Sequence, residues 1–130
     1  MSVGNNLWGN SISMMSKSLD YLWAKQKVTS DNIANAETPG YKSKYITFEE
    51  SYQNKLKATA KRSGREASLA IGSARYQVKE NNGESAKLDG NNVNTEVQMI
   101  ELTRTALQYQ YGIESVNKDI ARLSTVIKGQ

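Results

Sequence analysis

The residues predict a mainly α fold in which long N- and C-terminal helices pack as a coiled-coil hairpin around an irregular or small β-containing middle segment. Three observations carry this expectation. Apolar residues recur at alternating steps of three and four near both ends of the 130-residue chain, the single proline closes the first run, and the stretch between them loses the pattern. The expected divisions are 1–41 for the first helix and its terminal turn, 42–92 for a loosely structured middle, and 93–130 for the last helix.

The first seam runs through Trp8, Ile12, Met15, Leu19, Leu22, Gln26, Thr29, Ile33 and Ala36, apolar except for Gln26 and Thr29. It then meets Thr38-Pro39-Gly40-Tyr41. A proline ring removes a backbone donor, clashes with the preceding turn and pushes the residue before it out of helical geometry, so the helix should fray by about Ala36. Asn32 and Asn35 can bond free carbonyls or a neighbouring backbone near that end, Pro39 fixes the exit direction, and Gly40 permits a backbone angle closed to other residues.

In the middle, "YITFEESY" suits a short helix or strand, whereas "KRSGREASLAIGSARYQVKENNGESAKLDG" is rich in Gly, Ser, Asn and charge. The latter reads as an extended segment or small hairpin with Leu69, Ile71, Tyr76 and Val78 as its few anchors.

The second seam is cleaner. Met99, Leu102, Ala106, Tyr109, Ile113, Val116, Ile120, Leu123 and Ile127 hold nine successive seam positions without a charge. Asp89-Gly90-Asn91 marks a turn ahead of it, and Thr95 with Gln98 has the spacing of a capping box. A helix from about Thr95 to about Lys128 would be roughly 50 Å long. Gly112 inside it costs about 1 kcal/mol relative to alanine; either its missing side chain lets another backbone approach, or the glycine is simply tolerated.

Composition removes most enzyme classes. The chain has no cysteine and no histidine, hence no thiolate chemistry, no disulfide framework and none of the commonest general base or metal ligand. Glu49-Glu50 is an adjacent acidic pair with no partner chemistry. No catalytic residue, cofactor site or metal site is expected. "MSVGNNLWGNSISMM" has no basic start and no unbroken apolar run, so neither a cleaved secretory signal nor a membrane span is expected.

The net charge of +4 is local: residues 42–65 hold Lys42, Lys44, Lys55, Lys57, Lys61, Arg62 and Arg65 against Glu49 and Glu50. Interleaved with Tyr41, Tyr45, Phe48 and Tyr52, this segment is the one feature that suggests nucleic-acid binding, a reading outweighed by that of a solvated charged segment.

Only 38% of residues are hydrophobic and the mean hydropathy is −0.65, so a large private core is not expected. A lone hairpin buries one seam, while ordering its backbone costs about 1–2 kcal/mol per residue. Val97, Ile100, Leu107, Tyr111 and Val126 lie outside the second seam and widen its apolar surface. Both helices are therefore expected to form an inner layer with several neighbours, at least one contact being head-to-tail, in the way stacked repeats stabilise one another. The assembly contacts expected to carry this are Leu19, Leu22, Ile33, Leu102, Ile113, Val116, Ile120 and Leu123.

The run Ser30-Asp31-Asn32-Ile33-Ala34-Asn35-Ala36-Glu37-Thr38-Pro39-Gly40-Tyr41-Lys42 resembles the N-terminal signature of bacterial flagellar rod and hook proteins. Their pattern also places a heptad helix before the signature and another at the C-terminus. "LDGNNVNTEVQMIELTRTALQYQYGIESVNKDIARLSTVIKG" and the absence of a large insert are most similar to the short proximal rod members. The matching regions cover about residues 5–42 and 88–129; Glu37, where Asn or Asp is commoner, departs from the pattern.

The resemblance implies a structural subunit of the basal-body rod, exported through the flagellar type III apparatus without a cleaved signal and assembled in the periplasmic space. It also implies contacts with itself, with other rod proteins and with a ring adaptor or export gate. Asn32, Asn35, Thr38, Pro39, Gly40 and Tyr41 are implied as a turn that docks on an adjacent subunit. The alternatives are the other short proximal rod protein and a cytoplasmic coiled-coil adaptor.

Overall fold

The computed structural model describes residues 2–47, 75–83 and 87–129, with side-chain burial from Ile12 onward. Helix α1 spans Ser2–Ala34, strand β1 Lys44–Thr47, strand β2 Gln77–Glu80 and helix α2 Thr95–Ile127. The two helices pack along each other. Their contacts run in opposite chain directions: Asn32 meets Gln98, Lys25 pairs with Glu101 at 3.2 Å, the Trp23 and Tyr109 rings lie 5.9 Å apart, and Leu19 faces Gly112. The result is the antiparallel hairpin that the two seams predict.

Both helix ends behave as the local chemistry requires. The regular part of α1 stops at Ala34, and a chain of turns carries it into the Pro-Gly corner. At the start of α2 the cap is Asn94, whose side chain accepts from the Val97 amide, rather than the Thr95–Gln98 box. A short amide side chain one residue earlier reaches the orphan donor, which leaves Gln98 free for a different partner.

The middle segment supplies a two-stranded antiparallel sheet, Lys44 opposite Glu80 and Ile46 opposite Val78. Strand β1 lies on α1, where Ile46 and Tyr21 are buried with Leu22, Ala24 and Val28 around them. The expected anchors are corrected in part: Tyr76 and Val78 are about half exposed, because only the strand next to the helix is covered, and Ile46 does the anchoring instead. Leu69 and Ile71 lie outside the described residues.

The buried face of α1 is broader than the expected seam. Thr29 and Ala36 of that seam are buried, Tyr21 and Asn32 beside it are buried as well, and Leu19, Leu22 and Ile33 are half-buried. A helix covered by a strand on one side and a second helix on the other buries a wider face, which a single heptad line does not anticipate. Among the described residues the buried apolar side chains are Tyr21, Ala36, Ile46 and Val93, a thin core for two helices of 33 residues. No helix among the described residues is long and apolar enough to cross a membrane.

Candidate functional site

The densest chemistry lies where the end of α1, the entry to β1 and the approach to α2 converge. Asn32 is fully buried and uses every bond its amide can make. Its Nδ2 donates to the Lys44 carbonyl at 2.8 Å and to Gln98 Oε1 at 3.0 Å. Its Oδ1 accepts from the Lys44 amide at 2.8 Å and from the Tyr41 hydroxyl at 3.2 Å. One side chain thus joins α1, β1, α2 and the turn between them.

A second buried asparagine, Asn91, closes the helix end. Its Nδ2 donates to the carbonyls of Asn35 and Thr38, both at 2.8 Å, and its Oδ1 accepts from the Val93 amide. Those carbonyls have left the regular helix; each also accepts a backbone amide of the turn, Thr38 to Asn35 and Tyr41 to Thr38, so Asn91 fills their second acceptor position. Lys87 Nζ donates to the Ala36 carbonyl at 2.8 Å, placing a cation where the helix dipole favours one. Asn35 Nδ2 reaches back to the Asp31 carbonyl, and Thr38 Oγ1 donates to Asn35 Oδ1.

The corner itself is a four-residue turn. The Tyr41 amide donates to the Thr38 carbonyl at 3.2 Å, with Pro39 and Gly40 between them and Gly40 at φ +74°. Proline second and a positive-φ glycine third is the combination a type II turn demands. The Gly40 amide donates to the Asp89 carbonyl at 2.7 Å, and a Cβ on Gly90, itself at φ +80°, would lie 3.7 Å from the Gly40 Cα. The two glycine turns therefore dock on one another.

Strand entry is secured from the same side. Asn92 Oδ1 accepts from the Ser43 amide at 2.6 Å, its Nδ2 donates to the Asn81 carbonyl, and Lys42 Nζ donates to the Gly90 carbonyl. Lys44 Nζ stands 5.9 Å from the centre of the Tyr41 ring. Desolvation raises the Tyr41 phenol above its ordinary pKa, with smaller contributions in the same direction from Asp31 and Glu80.

The structure brings all six signature residues into one junction, but in two groups. Asn32 is consumed by contacts within the chain, Asn35 and Tyr41 are half-buried, and Thr38, Pro39 and Gly40 are exposed. The sequence reading missed Asn91, Asn92, Lys87 and Gln98 as their partners. The Asp-Gly-Asn-Asn run was visible, although nothing in its spacing named the carbonyls it serves.

The expected assembly contacts divide similarly. Leu19, Leu22, Ile33, Leu102, Val116 and Leu123 are half-buried in the hairpin, whereas Ile113 and Ile120 are 38% and 49% exposed. Of the basic residues, Lys42 and Lys44 are engaged as described, and Lys55, Lys57, Lys61, Arg62 and Arg65 lie outside the described residues, as do Phe48, Tyr52, Glu49 and Glu50. Among the described residues no group of acidic side chains is placed to hold a metal ion.

A helical hairpin whose ends are tied by a Pro-Gly corner defines the class, and comparison places the chain within it. The family profile described as "Flagella basal body rod protein" matches residues 22–42, the stretch that contains Asn32 and the corner. The flagellar basal body rod protein FlgB of Bacillus subtilis (strain 168) is 30% identical over 127 residues, covering 95% of this chain and 98% of that protein. The FlgB proteins of Aeromonas hydrophila and Cereibacter sphaeroides (strain ATCC 17029 / ATH 2.4.9) are 31% and 32% identical over 82% of this chain, and over 83% and 84% of their own lengths. The chain belongs to the flagellar basal body rod protein family.

Proposed function

We propose that the chain is a non-enzymatic structural subunit of the proximal rod of the flagellar basal body, holding its place through its two terminal helices and transmitting torque. The observation that supports this most directly is the apolar surface left outside the hairpin. Val97, Ile100, Leu107, Tyr111 and Val126 are each at least half exposed on α2, and Ile113 and Ile120 join them. Apolar side chains repeated along a helix and turned to water fit a protein whose burial is completed by neighbours.

In such a shaft, side chains seated between those of adjacent helices resist sliding, because moving one notch costs burial at every layer. Leu19, Leu22, Ile33, Leu102, Ile113, Val116, Ile120 and Leu123 are proposed to share this packing, Ile113 and Ile120 chiefly across subunits. Thr38, Pro39 and Gly40 form the exposed tip of the signature corner and are proposed to dock on an adjacent subunit, with Asn32, Asn35 and Tyr41 holding that tip in shape. Export through the flagellar type III apparatus without a cleaved signal, assembly in the periplasmic space, and contacts with other rod proteins and a ring adaptor or export gate complete the reading.

The test is to purify detergent-extracted basal bodies and probe for the chain in wild-type cells and in cells lacking the export apparatus. The chain is expected in the purified structures and confined to the cytoplasm without export. A chain that remains soluble and cytoplasmic in both strains sinks the reading and leaves a coiled-coil adaptor to explain the helices.

A further inference from the structure

On the side of α2 away from Thr105 and Gly112, a second and shorter apolar seam follows its own heptad spacing: Val97, Ile100, Arg104, Leu107 and Tyr111. Its four apolar members are 50%, 66%, 56% and 75% exposed, and Ile100, Leu107 and Tyr111 line an open groove with Met99 and Gln108. The next two heptad positions are Glu114 and Lys118, so the patch ends in charge after roughly 21 Å of helix. Arg104 sits at its centre, 66% exposed, and touches Glu101 only at 3.7 Å, while Glu101 is held more closely by Lys25.

We infer that this outer face of α2 receives the outer face of α1 from a second copy of the chain, a head-to-tail contact in which Arg104 meets Asp20 or Asp31. The inference rests on the rod reading and specifies which surfaces mate. Self-pairing of the α2 face is disfavoured in either direction: Arg104 is midway between Val97 and Tyr111, so parallel in-register and antiparallel pairing both place Arg104 against Arg104.

The α1 face is complementary in shape and in sign. Ser16, Asp20, Lys27, Asp31 and Ala34 are exposed on the side of α1 opposite Thr29, and Trp23 beside them stays largely exposed although its ring also meets Tyr109 across the hairpin. Serine and alanine leave holes for Ile100, Leu107 and Tyr111, Trp23 at 62% exposure offers one large knob, and two aspartates against one lysine give the face a net negative charge. Because the mating faces differ, a pair of copies leaves one of each unfilled, and the contact propagates instead of closing as a dimer.

The experiment uses the purified full-length chain and follows self-association by analytical ultracentrifugation at low salt. Leu107→Asp and Arg104→Glu are each expected to weaken association by at least about tenfold, as is Asp20→Lys combined with Asp31→Lys. Mixing the Arg104→Glu chain with the double lysine chain should restore association between them, since a negative α2 face then meets a positive α1 face. Circular dichroism verifies that helicity is retained, and Leu107→Ala provides an uncharged truncation should Leu107→Asp unfold the helix.

The inference is overturned if the wild-type chain stays monomeric at the highest attainable concentration, if the variants associate as the wild type does, or if the mixture stays apart. Basal-body fractionation separates its failure from that of the rod reading. Wild-type incorporation with equal incorporation of Arg104→Glu and Leu107→Asp defeats the face assignment alone; absence of the wild-type chain from basal bodies defeats the rod reading.

Discussion

Asn32 shows how much of a fold one amide can hold. Each intramolecular hydrogen bond contributes about 0.5–1.5 kcal/mol net, and deleting one side of a buried pair leaves the other unsatisfied. Asn32→Ala would strip Gln98, the Lys44 amide and carbonyl, and the Tyr41 hydroxyl at once. The expected loss is about 3 kcal/mol or more by chemical denaturation, larger than for Asn35→Ala, whose bonds are exposed and local.

Tyr41 adds a pH dependence of known sign. Its phenol donates to Asn32 only when protonated, and its folded pKa lies above the unfolded value. The stability it contributes is fully present below the ordinary phenol pKa of about 10 and is lost as pH rises through the folded value. Urea unfolding across the alkaline range should therefore show a decline that Tyr41→Phe makes shallower. An unchanged alkaline slope in the variant would contradict the assignment.

At the scale of elements, the hairpin carries two identifiable strains on its packing. Thr105 is fully buried between the helices and its hydroxyl has no hydrogen-bond partner. Thr105→Val keeps the branched shape and removes the unsatisfied group, so thermal denaturation should show a gain of about 1 kcal/mol. Gly112 is the opposite case: a Cβ there would come within 2.7 Å of Leu19 Cδ2. Alanine gains about 1 kcal/mol of helix propensity yet must displace Leu19, so a near-neutral effect is expected. Gly112→Leu has no room beside Leu19 and should destabilise by about 1–3 kcal/mol, measurable in the same melts.

This element also shows where legibility ended. The existence, length and stopping points of both helices were readable, because periodicity and the lone proline are local signals. The full width of the buried face of α1 was not readable, since Tyr21 is buried by Ile46 from a strand that a helix-only seam cannot foresee. Likewise Gln98 looked like a capping residue and instead serves Asn32, a partner sixty-six positions away in sequence.

Taken whole, the molecule has few buried apolar side chains among its described residues and a large exposed apolar share on α2. Hydrophobic burial of roughly 1.5–3 kcal/mol per large side chain is therefore incomplete in the isolated chain. The midpoint of thermal unfolding should rise with protein concentration as neighbours cover the exposed faces, and it should lose that dependence in Leu107→Asp. A concentration-independent midpoint would indicate a self-sufficient hairpin.

The sequence by itself determined that this is a helical hairpin with a Pro-Gly corner, that cysteine and histidine chemistry is excluded, and that two apolar seams exceed what one pairing buries. These are properties of composition and of spacing along one chain. Only the tertiary structure decided that Asn32 and Asn91 are the buried knots of the junction, that Lys87 and Gln98 serve the end of α1, and which apolar side chains face water. A hydrogen bond between distant positions leaves no local pattern, and the phase of a helix depends on everything packed around it.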